Sequence, residues 1–220
     1  MSPRAIIDAA LAKGLDLIAV TDHNTAEMSP VMAETARSHG LAYLYGLELQ
    51  TREDAHLLAY FDDEATCLAF SREMYNLLPD IEDPYGLGDQ VQVDADETIV
   101  RTEPKFLVAG LDISFADAAL RIYELGGLPV PAHIDREVFS VTSQMGRLPE
   151  GVDFPLIEVR GETVPEAYRD RAILRNSDSH FPEAIGQRIT HITVEAVTIP
   201  ELIKAAAGEG GRSIVGELRP

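Results

Sequence analysis

Short apolar runs alternate with capped, amphipathic segments along almost the whole chain, and this rhythm restricts the fold more than any other property of the sequence. Ser2-Pro3 supplies a capping hydroxyl and a first-turn proline, and Gly14 a stop, so a helix is expected between them. Leu15 to Val20 follows as an apolar run broken only by Asp16, the pattern of a strand buried on both faces. Ser29-Pro30 and Gly40 repeat the start and stop signals, and Leu41 to Leu47 and His56 to Phe61 read as the next strands. Ala65 to Leu78 predicts a helix that Pro79 closes. Further on, Ser114-Phe115-Ala116-Asp117 opens a helix ended by Gly126-Gly127, and Leu128 to Ala132 reads as a strand. A long loop over 135–153 separates it from strands expected at Leu156 to Val159, Ala172 to Leu174 and Ile189 to Val194. Thr198-Ile199-Pro200-Glu201 caps a last helix running to Ala207. Alternation of this kind predicts one α/β domain over residues 1–220.

The rhythm breaks over residues 79–113. Pro79 to Gly86 is rich in turn residues, and Gln90 to Val100 carries Val91, Val93 and Ile99 around an acidic turn at Asp94-Ala95-Asp96. An inserted β-hairpin near 90–100 is expected there. No apolar run approaches the roughly 18 residues that span a bilayer, so no membrane partner is expected. Cys67 is the only cysteine, which rules out an intrachain disulfide and points to a reducing, cytoplasmic setting. Its surroundings, Ala65-Thr66-Cys67-Leu68-Ala69-Phe70, suit a packed helix position. The formal net charge of −19 disfavours a nucleic-acid partner on electrostatic grounds.

Chemistry-bearing residues sit where apolar runs begin or end. His23 follows the Leu15 to Val20 run, Glu48 follows Leu47, His56 opens its strand, and His133 follows Ala132. Asp178 and His180 lie after Ala172 to Leu174, at a spacing that places both on one side of an extended segment. Strand ends in an α/β barrel converge on one rim, so these distant residues can gather there. Imidazole with carboxylate suits Zn, Mn or Fe, and a glutamate such as Glu48 can bridge two ions. Each residue also has a plainer reading: His23 as a polar residue at a turn, Glu48 in a salt bridge, His56 in a hairpin. His39, before Gly40 at a helix end, and His191, inside a strand, read as structural. Arg136 and Arg160 follow His133 and the Leu156 to Val159 run, where they either bind a substrate phosphate or brace a loop by ion pairs. His180 is the candidate catalytic proton donor.

The motifs Thr21-Asp22-His23-Asn24, Gly46-Leu47-Glu48, Ala55-His56-Leu57-Leu58, Pro131-Ala132-His133-Ile134-Asp135 and Asn176-Ser177-Asp178-Ser179-His180 resemble, in order, those of the PHP (polymerase and histidinol phosphatase) domain superfamily. The resemblance implies a distorted (β/α)7 barrel with up to three divalent ions at its C-terminal rim. By it, Glu48, His56 and His133 would share one ion, Asp178 would serve a neighbour bridged by Glu48, and His23 and His180 a third. The superfamily's opening strand, with its His-x-His motif, and a further ligand shortly after it have no counterpart here. A barrel missing its first strand is therefore expected, with fewer than three bound ions, weak or absent activity, and an open edge offered to a second copy. The expected function is a metal-dependent phosphoesterase acting on a small phosphomonoester or nucleotide. The alternatives are a metal-dependent barrel hydrolase of carbon–nitrogen bonds and a non-catalytic metal-binding or interaction module.

Overall fold

Ser2 caps the first helix, α1 (Pro3–Ala12), by accepting a hydrogen bond from Ala5 N in the computed structural model, which describes residues 1–218. Gly14 beyond its end takes φ +69°, the left-handed turn that glycine enters without strain. There follow β1 (Leu17–Ile18), α2 (Ser29–Ser38), β2 (Ala42–Tyr43), β3 (Tyr45–Gln50), β4 (His56–Phe61) and α3 (Glu64–Tyr75). The hairpin is β5 (Val91–Val93) and β6 (Ile99–Thr102), and α4 (Phe115–Glu124), β7 (Leu128–Pro131) and α5 (Val141–Met145) come next. The chain continues through β8 (Leu156–Glu158), β9 (Ala172–Leu174), β10 (Arg188–Thr193), α6 (Ile199–Ala207) and β11 (Ser213–Leu218).

At the centre lies the sheet β3-β4-β7, antiparallel throughout, with every residue of the three strands buried. Residues 51–55 join β3 to β4 by a tight turn in which Asp54 takes φ +56° and its amide bonds to Thr51 O. Such a connection is too short for a parallel crossover, so the regular βα order expected here gives way to a hairpin. One face of the sheet packs α3 and α4 through Phe61, Phe70, Phe115 and Ile122. The other face, with Leu58, Tyr60 and Val130, joins Leu156, Leu174 and Leu202.

The expected seven-stranded barrel is corrected by the sheet order. β1 pairs only with β2 and β10 only with β11, while β8 pairs with β9, so the described strands form an open arrangement rather than a closed barrel. Between the walls carrying β1 and β10 runs a cleft of about 930 Å³. The Leu15 to Val20 run yields only a two-residue strand because it has a ladder on one side and this cleft on the other. The loop expected over 135–153 holds the short helix α5, and β11 is an additional strand. Cys67 is buried in α3, where burial pushes its thiol up to about 12, as expected of an inert packed cysteine.

Candidate metal centre

Each central strand delivers a polar side chain to one end of the sheet. Glu48 stands near the end of β3, His56 opens β4 and pairs with Gln50, and His133 lies just past β7. His23 joins them because the segment after β1 returns to β3: Glu48 N donates to Asp22 O and Asn24 N to Glu48 O. Asn24 locks that approach with φ +55°, its side-chain amide donating to Leu107 O and Ala109 O.

The geometry is tight. Glu48 Oε1 lies 3.2 Å from His56 Nδ1 and 3.3 Å from His133 Nε2, and those two nitrogens are 3.1 Å apart. Glu48 Oε2 turns the other way, 3.5 Å from His23 Nδ1. His23, Glu48 and His56 form a group of donors that lie within 4.8 Å of one another. Burial alone would raise the Glu48 carboxyl, but hydrogen bonds from His133 and His56 and the nearby imidazoles hold it far below the usual carboxylate range. Burial pushes the His23 imidazole down, against the pull of Glu48, which favours the neutral, ligating form.

These residues fit a divalent cation. Three donors about 3.2 Å apart crowd one point without a proton arrangement that satisfies them all, and His23 Nδ1 beside them is buried without a hydrogen-bond partner. That spacing is the separation of neighbouring ligands around one ion with bonds of about 2.0–2.2 Å. The two carboxylate oxygens of Glu48 face different imidazoles, the disposition a bridging ligand needs.

Asp178 and His180 line the same cleft and act on the His23 imidazole, but lie outside the group of donors described above. The segment 175–179 belongs to no strand, and Asp178 takes φ +47°. Its Oδ2 is held by both Arg160 and Arg136, the latter at 3.3 Å. The arginines therefore brace this loop by ion pairs to Asp178, which lines the cleft. Asp135 fixes the turn by accepting from Arg160 N and Gly161 N. His180 is exposed, its ring 6.4 Å from that of His23. His39 Nδ1 contacts Thr35 O at the end of α2, and His191 lies on β10, where it lines the cleft.

Two neighbours of the centre escaped sequence reasoning. Phe139 stacks on His56 with ring centroids 5.0 Å apart, and its carbonyl accepts from His56 N. Glu158, the last residue of β8, is buried, accepts from His133 N and faces Asn176. An acid closing an apolar run was the signal that singled out Glu48, and it applied equally to Glu158.

Neither a family model nor a curated protein matches the sequence. Among solved structures, the chain is similar to the lesion-specific endonuclease Q of Pyrococcus furiosus, with 20% identity, a TM-score of 0.70, and coverage of 96% of this chain and 52% of that one. An endonuclease Q structure in complex with a 27-mer duplex bearing an abasic lesion at the active site matches at 19% identity and TM-score 0.70, with the same coverage. A two-domain Bacteroides vulgatus protein containing a predicted PHP-like metal-dependent phosphoesterase matches at 17% identity and TM-score 0.54, over 99% of this chain and 60% of that one. The chain therefore shares its α/β fold with these proteins, and it spans about half the length of the endonuclease chains it resembles.

This likeness overturns the argument that acidity disfavours nucleic acid, since a protein of the same fold holds duplex DNA at its active site. Formal charge omits bound cations and says nothing of where arginines cluster. No helix among the described residues is long and apolar enough to cross a membrane.

Proposed function

We propose that this chain is a metal-dependent hydrolase of phosphate esters. The observation carrying this reading is the convergence of Glu48 Oε1, His56 Nδ1 and His133 Nε2 to mutual distances of 3.1–3.3 Å, with His23 on the second carboxylate oxygen. Glu48, His56, His133 and His23 would hold the ions; when bound, these supply Lewis-acid activation of water and of the ester. Arg136 and Arg160, which both pair with Asp178 on the cleft wall, would orient the phosphate through charge-assisted hydrogen bonds. The exposed His180, also on the cleft wall, would protonate the leaving oxygen. A phosphomonoester or nucleotide suits such a pair of arginines. The likeness to an endonuclease supports a second reading, a phosphodiester within nucleic acid.

The test uses the manganese-loaded chain with p-nitrophenyl phosphate, bis-p-nitrophenyl phosphate and an abasic duplex, beside Glu48→Gln. Hydrolysis of at least one ester is expected, abolished by chelation and reduced at least about 100-fold in the variant. Monoester turnover alone favours the first reading and strand cleavage the second. An active Glu48→Gln protein, or no hydrolysis of any ester with zinc, manganese or iron, removes the proposal.

A further inference from the structure

Glu158 is 2% exposed and pairs with no lysine or arginine among the described residues, an expensive placement for a carboxyl that takes no part in the His23, Glu48 and His56 group. Its bonds account for it. Oε2 accepts from His133 N at 2.8 Å, and the backbone carbonyl of the same residue accepts from Ile134 N at 2.9 Å. Glu158 thus grips the two residues that carry the chain out of β7. At that point the ladder to β4 has just ended, with Ala132 N bonded to His56 O, and His133 takes φ +28°. A histidine in this left-handed region is strained and persists only where neighbours over-determine it. The bend turns Nε2 of His133 toward Glu48 Oε1 and His56 Nδ1.

Glu158 also reaches the opposite side of the site. Asn176 faces both the Glu158 carboxyl and the Tyr60 hydroxyl, so β4, the end of β7, β8 and the segment after β9 meet around this carboxyl. The mutual spacing of donors from separate strands depends on such bracing, because a ligand displaced by a fraction of an ångström leaves the coordination shell.

We propose that Glu158 is a positioning residue for the metal centre, fixing the strained backbone of His133 through its amide so that the imidazole meets Glu48 and His56. It acts through an acceptor oxygen at one place rather than through charge or ligation. The inference rests on the metal-binding reading above.

The test is titration of the metal-stripped full chain with cobalt(II), read by affinity and by the d–d absorption bands, for wild type, Glu158→Gln and Glu158→Asp. Gln keeps the acceptor and is expected to bind within about threefold of wild type with the same spectrum. Asp keeps the carboxyl group but withdraws the oxygen by one methylene, and is expected to bind about 10–100-fold more weakly with altered bands. Wild-type binding by Asp overturns the proposal, as does a loss in Gln equal to that in Asp, which would mean charge or direct ligation. If the Asp protein fails to fold, exchange of the His133 amide in the metal-free wild type decides: slow exchange supports the proposal and solvent-limited exchange overturns it. Absence of cobalt binding by wild type overturns the underlying metal reading, and the inference with it.

Discussion

Glu48 and Glu158 are two buried glutamates at neighbouring strand ends, and their surroundings drive them in opposite directions. Imidazoles surround Glu48 and keep it ionised. Burial, reinforced by the Glu48 carboxylate, pushes the Glu158 carboxyl from an ordinary value of 4.5 up to about 8. The folded chain therefore retains a proton that the unfolded chain releases. This group's contribution to stability is complete below a pH of about 4.5 and is lost progressively as the pH rises through about 8. Glu158→Gln, fixed in the neutral form, lacks that loss. Thermal unfolding in EDTA is expected to show the variant's melting temperature gaining on wild type across this window; a constant difference means that Glu158 is already ionised in the folded chain. The sequence made Glu48, His56 and His133 legible because each touches the boundary of an apolar run. Glu158 carries the same mark, an acid near the end of the run Leu156 to Val159, but its part as a backbone acceptor and the arginine contacts of Asp178 leave no spacing pattern.

The strand pair β3–β4 sets the register of the centre, and Gly46 is its narrowest point. A Cβ there would stand 2.7 Å from the Ala59 carbonyl oxygen and 3.0 Å from a ring carbon of Tyr60. The obstructing atom is backbone and cannot swing aside. Gly46→Ala is expected to cost about 1–3 kcal/mol, read as a fall in the denaturant midpoint, and to weaken metal binding because Glu48 moves with the strand. Unchanged stability would show that the ladder yields locally. The hairpin β5–β6 behaves oppositely: all four residues of β6 are exposed, Ile99 at 60% and Val100 at 62%. Ile99→Thr and Val100→Thr should each alter stability by no more than about 0.5 kcal/mol in chemical denaturation. A larger loss would reveal packing that the exposed strand does not display. The longer helices and the hairpin were legible because caps, prolines and glycines act within a few residues, whereas the short α5 was read as loop. The antiparallel pairing of β3, β4 and β7 was not, because apolar runs of similar length serve either strand direction.

Across the whole molecule, ion binding should appear as stability. A ligand at about 100 times its Kd adds about 2.7 kcal/mol, which for a chain of this size raises the melting temperature by roughly 5–10 °C. Scanning calorimetry of the metal-stripped protein with and without manganese or zinc measures it, and no shift at saturating ion would count against a centre built into the native fold. The open arrangement of sheets has a further bearing on that centre. Glu48 and His56 belong to one ladder, His133 is stitched to its edge, and His23 is tied to Glu48 by main-chain bonds, whereas Asp178 and His180 follow β9, in a separate sheet. Four candidate ligands thus share one hydrogen-bonded framework, while Asp178 and His180 reach the cleft from another sheet. A shift of one sheet against the other would alter the span of the cleft and leave the spacing of Glu48, His56 and His133 as it is.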